Sequence, residues 1–261
     1  MKYRILLGLF FLLVVSNCSK DDNMSTGNID PTTGIDVNLN RQAVGSSAND
    51  LLSDTNFTSM IIELVYVEGF EPNQSTVNNF ISFLQNRTYK PNGITIETRA
   101  IPSPGNSSYT IQDIANIEIE QRQNYNTDTT IAVWAFFADG ESTQNSGNNM
   151  VLGSAYWNTS FVIYEETIQE LSGGTFEPDR TVLETTVITH EFGHILGLTD
   201  LGSPMQQDHE DQAHPKHCDE DSCLMYWATE SSAGLDDMLN MTSAPELDAQ
   251  CIADLQANGG K

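Results

Sequence analysis

The clearest strand signal in the chain is residues 129–137 (TTIAVWAFF), an apolar run with no alternation, as expected of a strand covered on both faces. Residues 59–67 (SMIIELVYV) have the same character, whereas residues 93–101 (GITIETRAI) alternate and predict a strand with one buried face. Between them, residues 73–86 place Val77, Phe80, Ile81 and Leu84 on one side of a helix. Residues 110–125 do the same with Ile111, Ile114, Ala115 and either Ile117 or Glu118. A polar loop over 139–149 leads into two short strands, 150–157 and 160–165. A longer helix follows: Thr181-Val182-Leu183-Glu184 has the form of a capping box, and Gly197 supplies the stop. Residues 246–255 (ELDAQCIADL) have the period of a closing helix. This order predicts an α+β fold with a twisted, mixed sheet and helices packed on it.

The amino-terminal pattern differs. Lys2 and Arg4 precede an apolar stretch over 5–15, too short for a bilayer span, which needs about 20 residues. This is the form of an export signal. It ends in Val15-Ser16-Asn17-Cys18, which resembles a bacterial lipobox and implies lipidation of Cys18. The following Ser19-Lys20-Asp21-Asp22 is similar to the export tag of some Bacteroidetes lipoproteins, implying a surface-exposed outer-membrane lipoprotein of the cell envelope. Residues 19–56 are polar and aperiodic and read as a flexible tether, with Leu51-Leu52 a patch suited to packing on the domain. The expected division is therefore signal 1–18, tether 19–56 and catalytic domain 57–261.

Charge narrows the partners. Asp and Glu number 36 against 11 Lys and Arg, a formal charge of −25. A surface this acidic repels phosphate backbones and anionic lipid, so no nucleic-acid partner is expected and membrane contact is expected only through the anchor.

The chemistry is concentrated in residues 187–198, VITHEFGHILGL. His190 and His194 lie one helical turn apart, so their imidazoles project the same way and can share a metal ion. Glu191 sits on the adjacent flank, suited to act as general base on a metal-activated water. Two histidines do not complete a zinc site, so a third donor has to come from further along the chain.

HEFGHILG followed by Met225 resembles the metzincin clan of zinc peptidases, in which HExxHxxG is completed by a third ligand and a methionine in a turn beneath the metal. His217-Cys218, four residues, then Cys223-Leu224-Met225 is similar to the corresponding segment of archaemetzincins. The resemblance implies a metzincin-like zincin with a mixed five-stranded sheet, an active-site helix, a Met-turn and a C-terminal helix. It implies Zn²⁺ on His190, His194 and His217, catalysis by Glu191, and a monomer acting on protein or peptide substrates. An insert of 18 residues, 199–216, separates Leu198 from His217, and Asp200 and His209 remain alternative third ligands. So do Glu210 and Glu220, as they would in another HExxH clan, and a non-catalytic surface binding lipoprotein is a different class of reading. The acidic stretch 208–214 (DHEDQAH) could hold Ca²⁺ or a second metal, or be a solvated loop with exposed histidines. Archaemetzincins place a second zinc on four cysteines. Cys251 is the one cysteine after Met225 here, so that site is not expected. In an exported chain Cys218 and Cys223 are expected to form a disulfide, leaving Cys251 a buried thiol, with pairing to Cys251 the alternative. Residues 154–157 are expected to form the sheet edge onto which an extended substrate adds.

Overall fold

The computed structural model describes residues 34–147 and 149–261. The export signal and Cys18 lie outside the described residues. In chain order the elements are a 3₁₀ turn Val37–Asn40, α1 Ala48–Leu52, β1 Ser59–Val67, α2 Gln74–Arg87, β2 Ile94–Ile101, β3 Ser108–Tyr109, α3 Ile111–Gln121 and β4 Thr130–Phe137. Then come β5 Glu141–Ser142, β6 Gly153–Trp157, β7 Ser160–Ile163, α4 Glu165–Glu170 and α5 Arg180–Ile195. The 3₁₀ turns Trp227–Glu230 and Ser232–Gly234, α6 Leu235–Met238 and α7 Ala249–Ala257 close the chain.

The architecture is mixed α+β. Five strands form one sheet in the order β2-β1-β4-β7-β6, with β2, β1, β4 and β7 parallel and β6 antiparallel at the edge. β3 and β5 form a separate two-stranded ribbon. Alternate residues of β4 serve two cores, which explains its unbroken apolar run. Ile131, Val133, Ala135 and Phe137 face the core shared with α2 and α5, while Trp134 and Phe136 join Ile114 of α3 on the other side. β2 is an edge strand, and its alternation reflects one solvated face. In α3, the ambiguous position resolves to Glu118, fully buried and paired with Arg122 at 2.6 Å.

α5 is fixed against the sheet by aromatic packing: Phe192 meets Phe80 of α2 edge to face at 5.3 Å and Phe161 of β7 at 6.3 Å. All residues from Val182 to Ile195 are buried. The expected capping box is not formed. Asp179 is the cap, accepting from the Val182 amide at 3.1 Å. Glu184 is instead drawn inward, where it accepts from the Asn73 amide at 2.9 Å and the Thr76 hydroxyl at 2.7 Å and pairs with Arg180. This locks α5 to the start of α2. Gly197, at φ 83°, ends the helix as expected. The residues just before α5 correct the expected strand 160–165, since the chain leaves the sheet at Ile163 and turns into α4.

The segment expected to be a tether is packed from Val37 onward. The Asn40 amide donates to the Ala132 carbonyl of β4 at 3.0 Å, and Asn158 donates to the Leu39 carbonyl at 2.8 Å. Leu51 and Leu52 are fully buried in the main core. The domain therefore includes 37–56. Burying a leucine that a tether would leave in solvent makes Leu52→Ala cost about 2–5 kcal/mol. Urea denaturation is expected to show that loss, and an unchanged midpoint would return the segment to tether status.

Candidate metal centre

Three imidazoles and one carboxylate converge at the carboxyl end of α5: one donor atom each from His190, His194, His217 and Glu230 lies within 4.8 Å of the others. Helical spacing aligns His190 and His194, whose rings stand 4.8 Å apart. His217 arrives from the far side of the insert. Its ring is 5.4 Å from that of His190 and 5.1 Å from that of His194.

Backbone pairing explains how an 18-residue insert returns His217 to the helix. The chain is pinned at its start by Ser203, whose amide donates to the Gly197 carbonyl at 3.0 Å and whose hydroxyl donates to the Leu196 carbonyl at 2.6 Å. It then folds as a hairpin: Asp211 donates to the His217 carbonyl at 2.8 Å, and Asp219 donates to the His209 carbonyl at 2.9 Å. Cys218 in turn donates to the Met225 carbonyl at 2.8 Å, which sets His217 beside the turn. Met225 is fully buried, so close to Gly193 of the same helix turn as His194 that a Cβ there would collide with its sulfur.

The hydrogen bonds select the tautomers a metal requires. His190 Nδ1 lies 2.7 Å from the Leu224 carbonyl, which can only accept, so Nδ1 carries the proton and Nε2 keeps a free lone pair. The Thr229 hydroxyl, 2.6 Å from the same nitrogen, is held by the Leu224 and Tyr226 carbonyls. His217 Nδ1 faces the His214 carbonyl at 3.3 Å, with the same consequence. His190 Nε2 and His217 Nε2 are buried with no hydrogen-bond partner. Burial pushes His194 down to about 4, so that its ring is neutral. Buried, neutral nitrogens aimed at a common point are the donor chemistry of a zinc site, and the residues present fit that ion.

Glu191 is fully buried, and neither of its oxygens completes a hydrogen bond, the Ala155 amide of β6 facing the carboxyl without closing one. Burial, and then the negative charge of Glu230, push its carboxyl well above the usual range. Gly153 of β6 packs directly on it: a Cβ there would come within 2.6 Å of Glu191 Oε1. The expected substrate edge, residues 154–157, is the outer strand β6.

Glu230 is the site residue that sequence reasoning missed. Burial pushes its carboxyl up, but the His190, His194 and His217 rings that face it outweigh that and hold it well below the carboxylate range. The alternative third ligands lie elsewhere. Asp200 is exposed, Glu210 accepts from the Lys216 amide at 2.7 Å, and Glu220 accepts from Ser222 at 2.9 Å. The acidic insert forms no oxygen cage for Ca²⁺ among the described residues, since Asp211 is engaged by His214 at 2.7 Å.

His209 corrects two expectations. It is buried rather than exposed, and it belongs to a second donor cluster with Cys218, Asp248 and Cys251, again within 4.8 Å. Cys218 and Cys223 do not form the expected disulfide. Both are free, as is Cys251, whose sulfur lies 3.7 Å from that of Cys223. His209 Nδ1 faces Cys218 Sγ at 3.4 Å while Nε2 bonds Asp254 at 2.8 Å, the carboxylate backing typical of a ligating histidine. The absence of a later Cys-x-x-Cys therefore does not exclude a second site: His209 or Asp248 can complete the thiols. Metal analysis under reducing conditions is expected to give two zinc ions per chain, falling to one in Cys251→Ser. One ion in both would leave the cluster a thiol-lined core.

No protein-family model matches the chain, and no curated protein matches it. Among solved structures, the archaemetzincin of Methanopyrus kandleri is similar with a TM-score of 0.50 and 18% sequence identity, covering 77% of this chain and 96% of that one. The metalloproteinase-II of Bacteroides fragilis aligns with a TM-score of 0.41 and 13% identity, covering 80% of this chain and 57% of that one. The first likeness establishes the fold: an archaemetzincin-like α+β domain with a five-stranded, mostly parallel sheet.

Proposed function

We propose that the chain is a zinc-dependent endopeptidase of metzincin type, tethered to the cell envelope through lipidated Cys18 and acting as a monomer on protein or peptide substrates. The observation that carries this reading is the pairing of converging, partnerless imidazole nitrogens with a buried, partnerless carboxylate next to them on the same helix. A purely structural core has no use for that combination, because each buried unpaired group costs about 1–3 kcal/mol. The similarity to the Methanopyrus kandleri archaemetzincin supports the fold that the reading requires.

His190, His194 and His217 hold the metal. A bound zinc ion supplies Lewis acidity, polarising a peptide carbonyl and lowering the pKa of water to about 7. Glu191 takes the proton of the attacking water and delivers it to the leaving amine. Its raised pKa belongs to the metal-free site, and a nearby cation draws a carboxyl down toward the ionised form a base needs. Gly153 leaves room for this carboxylate beneath the sheet edge, so an extended peptide added to β6 passes over it. Met225 is the apolar floor that keeps water from the underside of the ligands. Envelope attachment rests on the amino-terminal pattern. No helix among the described residues is long and apolar enough to cross a membrane.

The test separates binding from chemistry. Glu191→Gln is expected to retain zinc while peptide hydrolysis falls by at least about 10²-fold. A variant that keeps its activity would contradict the role of Glu191, and a wild-type chain that binds zinc without cleaving casein or gelatin would favour the surface binding module.

A further inference from the structure

The arrangement of Glu230 goes beyond what a water-activating site needs. Its carboxylate faces all three imidazoles. Oε2 is 3.5 Å from His190 Nε2 and 3.6 Å from His194 Nε2, and Oε1 is 3.2 Å from His217 Nε2. Four nitrogen or oxygen donors about 2.0–2.1 Å from a zinc ion at tetrahedral corners lie about 3.3–3.4 Å from one another. The three separations bracket that value. Zinc sites with four protein donors are closed and structural, whereas catalytic ones keep one position open. Yet Glu191 lies buried and partnerless next to this closed set.

We propose that Glu230 is a fourth, removable ligand: it closes the metal site at rest and swings out when a substrate is bound. The proposal rests on the reading of the site as a zinc peptidase. Mobility is confined to the side chain. The Glu230 backbone is anchored, because its carbonyl accepts from the Leu152 amide at 2.9 Å and the next residues pair with Met150 through Ser232 at 2.8 Å. The side chain retains 28% exposure, unlike the fully buried His190, so it has an outward path. Leu152 immediately precedes β6, so the anchor fixes Glu230 at the mouth of the strand edge on which an extended peptide would lie. A peptide carbonyl approaching the metal there meets the carboxylate first and has to displace it.

The test uses Co²⁺, which takes the same donors as zinc and reports its coordination by visible absorption. Metal-free wild type, Glu230→Ala and Glu230→Gln are each loaded with Co²⁺ and titrated with acetohydroxamate, a bidentate metal chelator. The expected result is at least a tenfold loss of Co²⁺ affinity in both variants, with a changed absorption envelope and at least tenfold tighter hydroxamate binding. Glu230→Gln preserves the side-chain volume, so a folding defect in Glu230→Ala does not decide the matter. Identical spectra and equal hydroxamate affinities in all three chains would overturn the assignment of Glu230 and leave the peptidase reading intact. A wild type that takes up no Co²⁺ at all would contradict the peptidase reading itself.

Discussion

His190 Nε2, His217 Nε2 and both oxygens of Glu191 are buried without a hydrogen-bond partner, and this unmet polarity is the constraint around which the domain is organised. Each such group costs about 1–3 kcal/mol in the interior, a large fraction of the stability of a domain. Under the proposed function, a divalent cation offsets the cost by taking the nitrogen lone pairs directly. The surrounding bonds hold the groups in this state. The Leu224 carbonyl and Thr229 fix the His190 tautomer, and the buried Glu184 ties α5 to α2 so that the helix cannot rotate its histidines away.

The same constraint accounts for the turn region. Cys218 pairs with Met225, and the insert hairpin pairs with residues on both sides of Cys218, so one backbone segment positions His217, the apolar floor and the second cluster together. The two donor clusters share this segment: His217 points into one and Cys218 into the other.

Much of this was legible from local pattern. β1 and β4 are apolar at most positions because both sheet faces are covered, β2 alternates because one face is solvated, and the His190–Glu191–His194 spacing is a property of a single helix. What was not legible depends on contacts distant in sequence. Asn40 looked like part of a polar tether, but its amide satisfies the Ala132 carbonyl 92 residues away. Thr181 and Glu184 had the form of a capping box, but the helix starts at Arg180, so Asp179 takes the cap position and Thr76 draws Glu184 inward. His209 had the setting of an exposed loop histidine, and only the fold brings Asp254 to it. Glu230 follows the turn in a 3₁₀ stretch with no period to mark it. Its role emerges only when His217 has folded back.

Calorimetric titration of Zn²⁺ into the metal-free domain bearing His217→Ala, beside the same domain bearing Asp200→Ala, addresses the delivery of the third imidazole most directly. The helix-end site is expected to lose at least 100-fold in affinity when His217 is removed, as about 3 kcal/mol per lost ligand would give, and to keep its affinity when Asp200 is removed. Equal affinities in the two variants, or a loss confined to Asp200→Ala, would contradict the convergence of the three imidazoles on one ion.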